Sequence, residues 1–252
     1  MNSTATVNRP LAAADWSGCH LLITGAAGSL GAALARRAAR MGAALVLLDK
    51  DRRGLGQLAD ELEAGGCEPF LLPLDLAGAT PDDYDRFADA LSEHIGALDA
   101  VLHCAAHFDG LMPLAQIPPT QWWLSIQANL TAPLLLSRIC TDLLRERQGV
   151  NLLLLDQPET MAEAFWGAYG VAQWGLHGLV QQLARECSNL PMLVRGLVLP
   201  PFQSGMRARA FPAERPDSLP PPESLAAAIC EYLRSCENAA IISEIDAGSR
   251  EN

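Results

Sequence analysis

No Cys-x-x-Cys pair occurs among the seven cysteines, which stand at 19, 67, 104, 140, 187, 230 and 236. Their scatter and odd number exclude both the spaced ligand sets of structural zinc sites and the paired frame of a small secreted domain. They read as reduced thiols, and no metal site is expected. A run of five or more basic residues is also missing, and the net charge of −11 opposes binding to a phosphate backbone. No apolar run approaches the length of a membrane span. The first residues, MNSTATVNRPLAAADW, have no basic stretch leading into an apolar one. Nucleic-acid and membrane partners are therefore not expected, and a cytoplasmic location is the default.

What is present is an alternation of short apolar runs with longer amphipathic stretches. At 252 residues, half of them hydrophobic, the chain can bury one substantial core. HLLIT (20–24), ALVLL (44–48), PFLLPL (69–74), AVLHC (100–104), VNLLLL (150–155) and MLVRGLVL (192–199) are candidate strands, with AAIISEI (239–245) as a last one. Helical patterns follow the first two strands, and long ones occupy 118–146 and 164–189. Apolar strands, each followed by a helix, predict a parallel sheet covered on both sides. Seven prolines between 200 and 222 predict a loop or lid within a single domain.

The first strand runs into Thr24-Gly25-Ala26-Ala27-Gly28-Ser29-Leu30-Gly31. Glycines at a strand-to-helix turn let the backbone approach a pyrophosphate facing the helix N-terminus, although such turns can also serve packing alone. Asp49, ending the second strand, can accept hydrogen bonds from adenosine ribose hydroxyls and repel a 2′-phosphate, which favours NAD(H). Lys50, Arg52 and Arg53 could reach a phosphate instead, or simply form a solvated helix start.

With these features the chain resembles the short-chain dehydrogenase/reductase family, in its compact single-domain branch. The resemblance runs from about residue 16 to 248, leaving 1–15 as a flexible segment and 249–252 as a tail. Residues 204–212, SGMRARAFP, are similar to the YciK-like bacterial subgroup. The resemblance implies a doubly wound, Rossmann-type α/β/α sandwich on a mostly parallel seven-stranded sheet. It further implies a nicotinamide cofactor, NAD with NADP as the other possibility, and hydride transfer between an alcohol and a carbonyl compound.

The implied cofactor contacts are Thr24, Gly25, Gly28, Ser29, Leu30, Gly31, Asp49 and Lys50. Asp75 and Leu76 follow at the adenine, with Cys104, Ala105 and Ala106 after the fourth strand. His103-Cys104-Ala105-Ala106 stands where the family has Asn-Asn-Ala-Gly, and Leu199-Pro200-Pro201 where it opens a nicotinamide loop with Pro-Gly. Pro200 is placed at the cofactor, and Ser204 could stand for the following threonine. The implied catalytic positions are Asn129, Tyr169, Gln173 in place of lysine, and Asp156 in place of serine. The family also implies a homodimer or homotetramer built on two long helices. Their apolar faces are Leu134, Leu135, Leu136, Ile139 and Leu143 in one, and Leu176, Leu179, Val180 and Leu183 in the other.

The replacements bear directly on the chemistry. A free tyrosine has a pKa near 10, and the family's lysine favours the tyrosinate. Gln173 has no charge with which to do so, and an ionised Asp156 would act in the opposite sense. Both work against alcohol oxidation at neutral pH. Asp156 could be a base if burial raised its pKa, or neutral Tyr169 an acid for reduction. The expectation is a retained scaffold with a degraded catalytic set and weak or specialised activity. The other readings are a non-catalytic cofactor-binding sensor and a structural subunit of an oligomer. Flanked by Trp166 and Trp174, Tyr169 could also be a packing residue; His107 could face the pocket, and Cys104 reads as a small buried hydrophobe.

Overall fold

The computed structural model describes residues 10–246. Seven strands form the sheet: β1 His20–Thr24, β2 Ala44–Asp49, β3 Phe70–Pro73, β4 Ala100–His103, β5 Val150–Leu155, β6 Leu193–Val198 and β7 Ile242–Glu244. Their order is β3-β2-β1-β4-β5-β6-β7, and every neighbouring pair is parallel. The sheet is thus the expected seven-stranded, doubly wound one, parallel in every described pair. The helices are α1 Ser29–Arg40, α2 Arg52–Ala64, α3 Pro81–His94, α4 Pro119–Ile126, α5 Ala132–Glu146, α6 Pro158–Ala162, α7 Gly167–Glu186, α8 Gly205–Ala210 and α9 Pro222–Ser235.

Period-two alternation divides the core. Leu21 and Ile23 of β1 face a cluster with α1, α2 and α9, while Leu22 between them joins the cluster with α3, α5 and α7. Each such leucine, fully buried, contributes roughly 1.5–3 kcal/mol of transfer free energy. With both faces covered, polar backbone is reachable only at the sheet ends. The strand order reverses between β1 and β4, so their carboxyl ends part and leave a crevice.

Two features depart from the sequence expectations. Residues 118–146 are not one regular helix: a π-helical turn, Gln127–Thr131, joins α4 to α5. Pro133 is the reason, because it lacks the N–H that would bond the Asn129 carbonyl in an α-helix, while Ala132 N–H reaches back to Gln127 O. The segment expected to be loose up to residue 15 is tied down over its described part. Leu11 is buried, and the buried Trp16 donates from Nε1 to Leu11 O (3.2 Å). Residues 1–9 of that segment and the expected tail at 249–252 lie outside the described residues.

The leucines expected to supply an outer face are largely turned inward. Leu136, Leu176 and Val180 are buried, and Leu135, Ile139, Leu143, Leu179 and Leu183 pack against the same core. Leu134 is half-buried. The exposed large apolar side chains nearby are instead Trp123 and Leu124 on α4 and Val171 and Trp174 on α7. Among the described residues no helix is long and apolar enough to cross a membrane.

Candidate active site

The crevice at the carboxyl ends of the strands is a cleft of about 390 Å³, running from the β1–α1 turn past the ends of β2, β4 and β5 to α7 and α8. Its floor is set by backbone that tolerates no side chain. Gly25 has φ +64°, and a Cβ there would stand 2.7 Å from Ala105 Cα; one on Gly31 would stand 2.2 Å from Gly25 O. Gly28 precedes α1 without any side-chain cap, and the first turn holds no acidic residue. The N–H groups of Ser29, Leu30 and Gly31 therefore open toward the cleft with the positive end of the helix dipole.

Asp49 closes the next corner. Its Oδ2 accepts from Ala27 N (3.0 Å) and its Oδ1 from Asp51 N (2.9 Å), fixing the carboxylate at the end of β2. Lys50, Leu74, Asp75, Leu76 and Ala77 complete this wall, with Cys104, Ala105 and Ala106 opposite. Thr24 does not line the cleft. Its Oγ1 accepts from Cys104 N and Ala105 N (both 3.1 Å), stapling the end of β1 to that of β4 beneath the floor. Pro200 is likewise absent from the cleft wall expected of it. It lines a smaller cavity of about 40 Å³ behind Asp156, with Pro201, Phe202, Ser204, Met206 and Arg207.

The catalytic positions converge at the other end. Tyr169 sits one helical turn before Gln173 on α7, so both side chains project from one face toward the end of β5. The Tyr169 hydroxyl donates a short hydrogen bond to Asp156 Oδ2 and accepts one from Gln173 Nε2 (3.3 Å). Gln173 also uses its Oε1 to accept from Asp156 N (3.3 Å). Burial, then the Asp156 charge and hydrogen bond, push Tyr169 well above 10, with Gln173 opposing. Burial also raises Asp156, against the pull of the Tyr169 bond, His177 and Arg207.

Asn129 is fully engaged. Its Oδ1 accepts from His107 N (2.8 Å), and its Nδ2 donates to His107 O (2.8 Å), Ser125 O (2.8 Å) and Ser125 Oγ (3.1 Å). It lines the cleft, and its side chain anchors the β4–α4 loop there. His107 in turn contacts Asp109 Oδ2 through Nε2 (3.1 Å).

Two arrangements here go beyond the sequence reading, in which Trp166 beside Tyr169 is the one hint of the first. An aromatic cluster of Phe108, Trp166, Tyr169 and Phe211 packs beside the hydroxyl, with ring centroids 5.4–6.0 Å apart. Beneath Cys104, His103 Nε2 meets Asn151 Oδ1 at 2.8 Å. Asn151 Nδ2 donates to Ser137 Oγ (2.7 Å), which donates to Pro133 O (2.6 Å). That chain fixes the proton on His103 Nε2, since Asn151 Oδ1 can only accept. Burial lowers His103 to about 4, so it stays neutral, with the Asn151 bond opposing.

The glycine floor, the helix N-terminus, the acidic end of β2 and the buried tyrosine share one cleft. The chain also matches the short chain dehydrogenase family model over residues 20–215. It belongs to the short-chain dehydrogenase/reductase family. Within that family it is 29% identical over 207 residues to the uncharacterized oxidoreductase YciK of Escherichia coli K12, covering 81% of this chain and 82% of that one. The solved structure of E. coli YciK superimposes with a TM-score of 0.83 at 26% identity, covering 92% and 95% of the two chains. A short-chain oxidoreductase of metagenomic origin, solved with NADP, gives 0.73 at 27% identity, covering 91% and 96%.

Proposed function

We propose that this short-chain dehydrogenase/reductase binds a nicotinamide dinucleotide and reduces a carbonyl compound, with weak or specialised activity, in preference to oxidising an alcohol. The observation that carries the direction is the Tyr169–Asp156 hydrogen bond. It sits at the opposite end of one cleft from a glycine turn that a Cβ would fill. The open N–H groups of the α1 first turn and the glycine floor fit a pyrophosphate. Asp49 and Lys50 would flank the adenosine ribose, and Asp75 and Leu76 the adenine. The neighbour solved with NADP supports a nicotinamide dinucleotide as the cofactor. The bound nicotinamide supplies the hydride.

The chain's own residues would manage the proton. A tyrosine held well above 10 stays protonated at neutral pH and is competent as an acid, not as a base. Its hydroxyl accepts from the Gln173 amide, which holds the oxygen in place while its one proton is donated to Asp156. For Tyr169 to protonate a substrate oxygen its hydroxyl must turn away from Asp156, and a carboxyl that burial shifts toward its neutral form is placed to return a proton to it. The 40 Å³ cavity behind Asp156 is wide enough for water and gives the carboxyl a route to reprotonation. Asn129, with its side chain committed to the loop, holds His107 at the cleft.

Titration of the full-length protein with NADH and NADPH, by calorimetry, tests the cofactor. The negative charge of Asp49 favours NADH; tighter NADPH would shift recognition to Lys50 and Arg52. A stopped-flow search for carbonyl reduction, with Tyr169→Phe as control, tests the chemistry. Binding without Tyr169-dependent turnover would favour a redox-sensing protein, and absence of binding a structural subunit.

A further inference from the structure

The Ser204–Pro212 stretch places two arginines on α8, two residues apart and therefore on opposite sides of the helix. Their surroundings differ. Arg207 is matched in charge: its Nε and Nη2 donate to the two oxygens of Glu214 (2.7 and 2.8 Å), and its guanidinium lies 3.9 Å over the Phe211 ring. Arg209 lines the cleft and donates from Nη1 to a neutral group, the Phe108 carbonyl. Among the described residues no carboxylate pairs with it. Asp109, beside Phe108 in sequence, is taken by His107 and does not line the cleft. In a chain with 29 acidic against 18 basic side chains, a partner could readily have been supplied, as it is for Arg207.

The walls at this end of the cleft are apolar, and Asp156 is the one carboxyl among the described residues lining it. Phe108, Leu199, Phe202 and Met206 form walls, burial raises Asp156 toward its neutral form, and His103 is uncharged. A guanidinium left with most of its planar donors free beside apolar walls is suited to bidentate capture of a carboxylate. We propose that Arg209 anchors the substrate's carboxylate, so that the cleft takes carbonyl compounds with an apolar body and an acid group. This rests on reading the cleft as a dinucleotide-dependent carbonyl site. The arginine acts by binding and positioning, placing the carbonyl against Tyr169; it moves no proton. A cofactor phosphate is the other anion that could reach it, and the test separates the two.

The probes are 6-formyl-2-naphthoate and its methyl ester, alike in shape and differing in charge. Each is titrated into full-length protein, with and without saturating NAD+ or NADP+, the oxidised forms that cannot reduce the aldehyde, following tryptophan fluorescence and calorimetry. The acid is expected to bind at least about tenfold tighter than the ester, the size of one charge-assisted contact. Arg209→Gln should bring the ratio to about one by weakening the acid, and Arg209→Lys should keep part of it, because a point charge lacks the fork. Arg207→Gln should leave the ratio in place. Equal binding of acid and ester to the wild-type protein would overturn the proposal. So would an Arg209→Gln variant that weakens both equally, or one that weakens NADPH and not the acid, which would give the arginine to the cofactor. If neither NADH nor NADPH binds while the Arg209-dependent preference persists, the carboxylate subsite stands and the dinucleotide reading falls.

Discussion

Gln173 and Asp156 hold one hydroxyl from two sides, the first as donor and the second as acceptor. Restoring a cation and a small hydroxyl with Gln173→Lys and Asp156→Ser should lower the Tyr169 pKa and raise alcohol oxidation above wild type, by up to about 10²-fold. The two changes should be non-additive because they act on one proton-transfer unit; steady-state rates of the two singles and the double check this. If wild type already turns over briskly and Gln173→Lys slows it, Gln173 and Asp156 are working parts of a specialised catalyst. The buried acids and bases also set opposite pH slopes on stability. Asp156 has a raised folded pKa, so its contribution is complete below the unfolded value near 3.9 and is lost as pH rises through the folded one. Asp156→Asn should therefore gain Tm relative to wild type as pH rises, in melts across a pH series. His103 is depressed, so its contribution is present above 6.5 and lost as pH falls toward about 4. That fall corresponds to roughly 3 kcal/mol across the window. His103→Gln, which keeps a donor for Asn151, should flatten the acid limb of the same melts.

At the scale of elements, the irregular joint between α4 and α5 matters more than the regular helices it connects. The π-helical turn points Asn129 inward, where it satisfies the N–H and C=O of His107 and holds the β4–α4 loop against the cleft. Asn129→Ala should cost roughly 1–3 kcal/mol, since it leaves buried backbone groups without partners. A thermal melt should show the loss, and proteolysis should speed up first between 105 and 117. The joint is explained by Pro133, and a sequence reading attentive to periodicity alone passes over it. Apolar residues continue at helical spacing on both sides of the turn, so the pattern looks like one helix. The missing N–H of a proline was the readable signal.

For the whole molecule, the surface left over after packing predicts assembly. Trp123 is 66% exposed and Trp174 51%, with Leu124 and Val171 beside them in the chain. Such side chains on neighbouring helices, α4 and α7, are costly to leave in water. Self-association through these helices into a dimer or tetramer is the expected outcome, and Trp123→Glu with Trp174→Glu should shift it to a 26.9 kDa monomer. Sedimentation velocity at micromolar concentration reads this directly; a wild-type protein that is already monomeric would refute it. The leucine-rich faces first expected to do this are spent on the sheet, because a helix over a parallel sheet must bury its widest apolar stripe there.

What the sequence determined by itself is the order of strands and helices and the identity of the residues at the strand ends. HLLIT, ALVLL and VNLLLL are too apolar to sit anywhere but in a doubly covered sheet, and a glycine turn between strand and helix has few physical uses. Tyr169, Gln173, Asp156 and Asn129 could be named because the motifs that carry the family resemblance lie in short local stretches of the chain. What only the tertiary structure decided is how those groups are used. Asn129 is committed to His107, Thr24 lies under the floor, Pro200 faces a second cavity, and Arg209 stands in the cleft without a carboxylate. Hydrogen bonds join residues up to 129 positions apart. Partner choice over such separations depends on how layers pack and which polar groups remain unpaired, and periodicity along the chain carries no record of that.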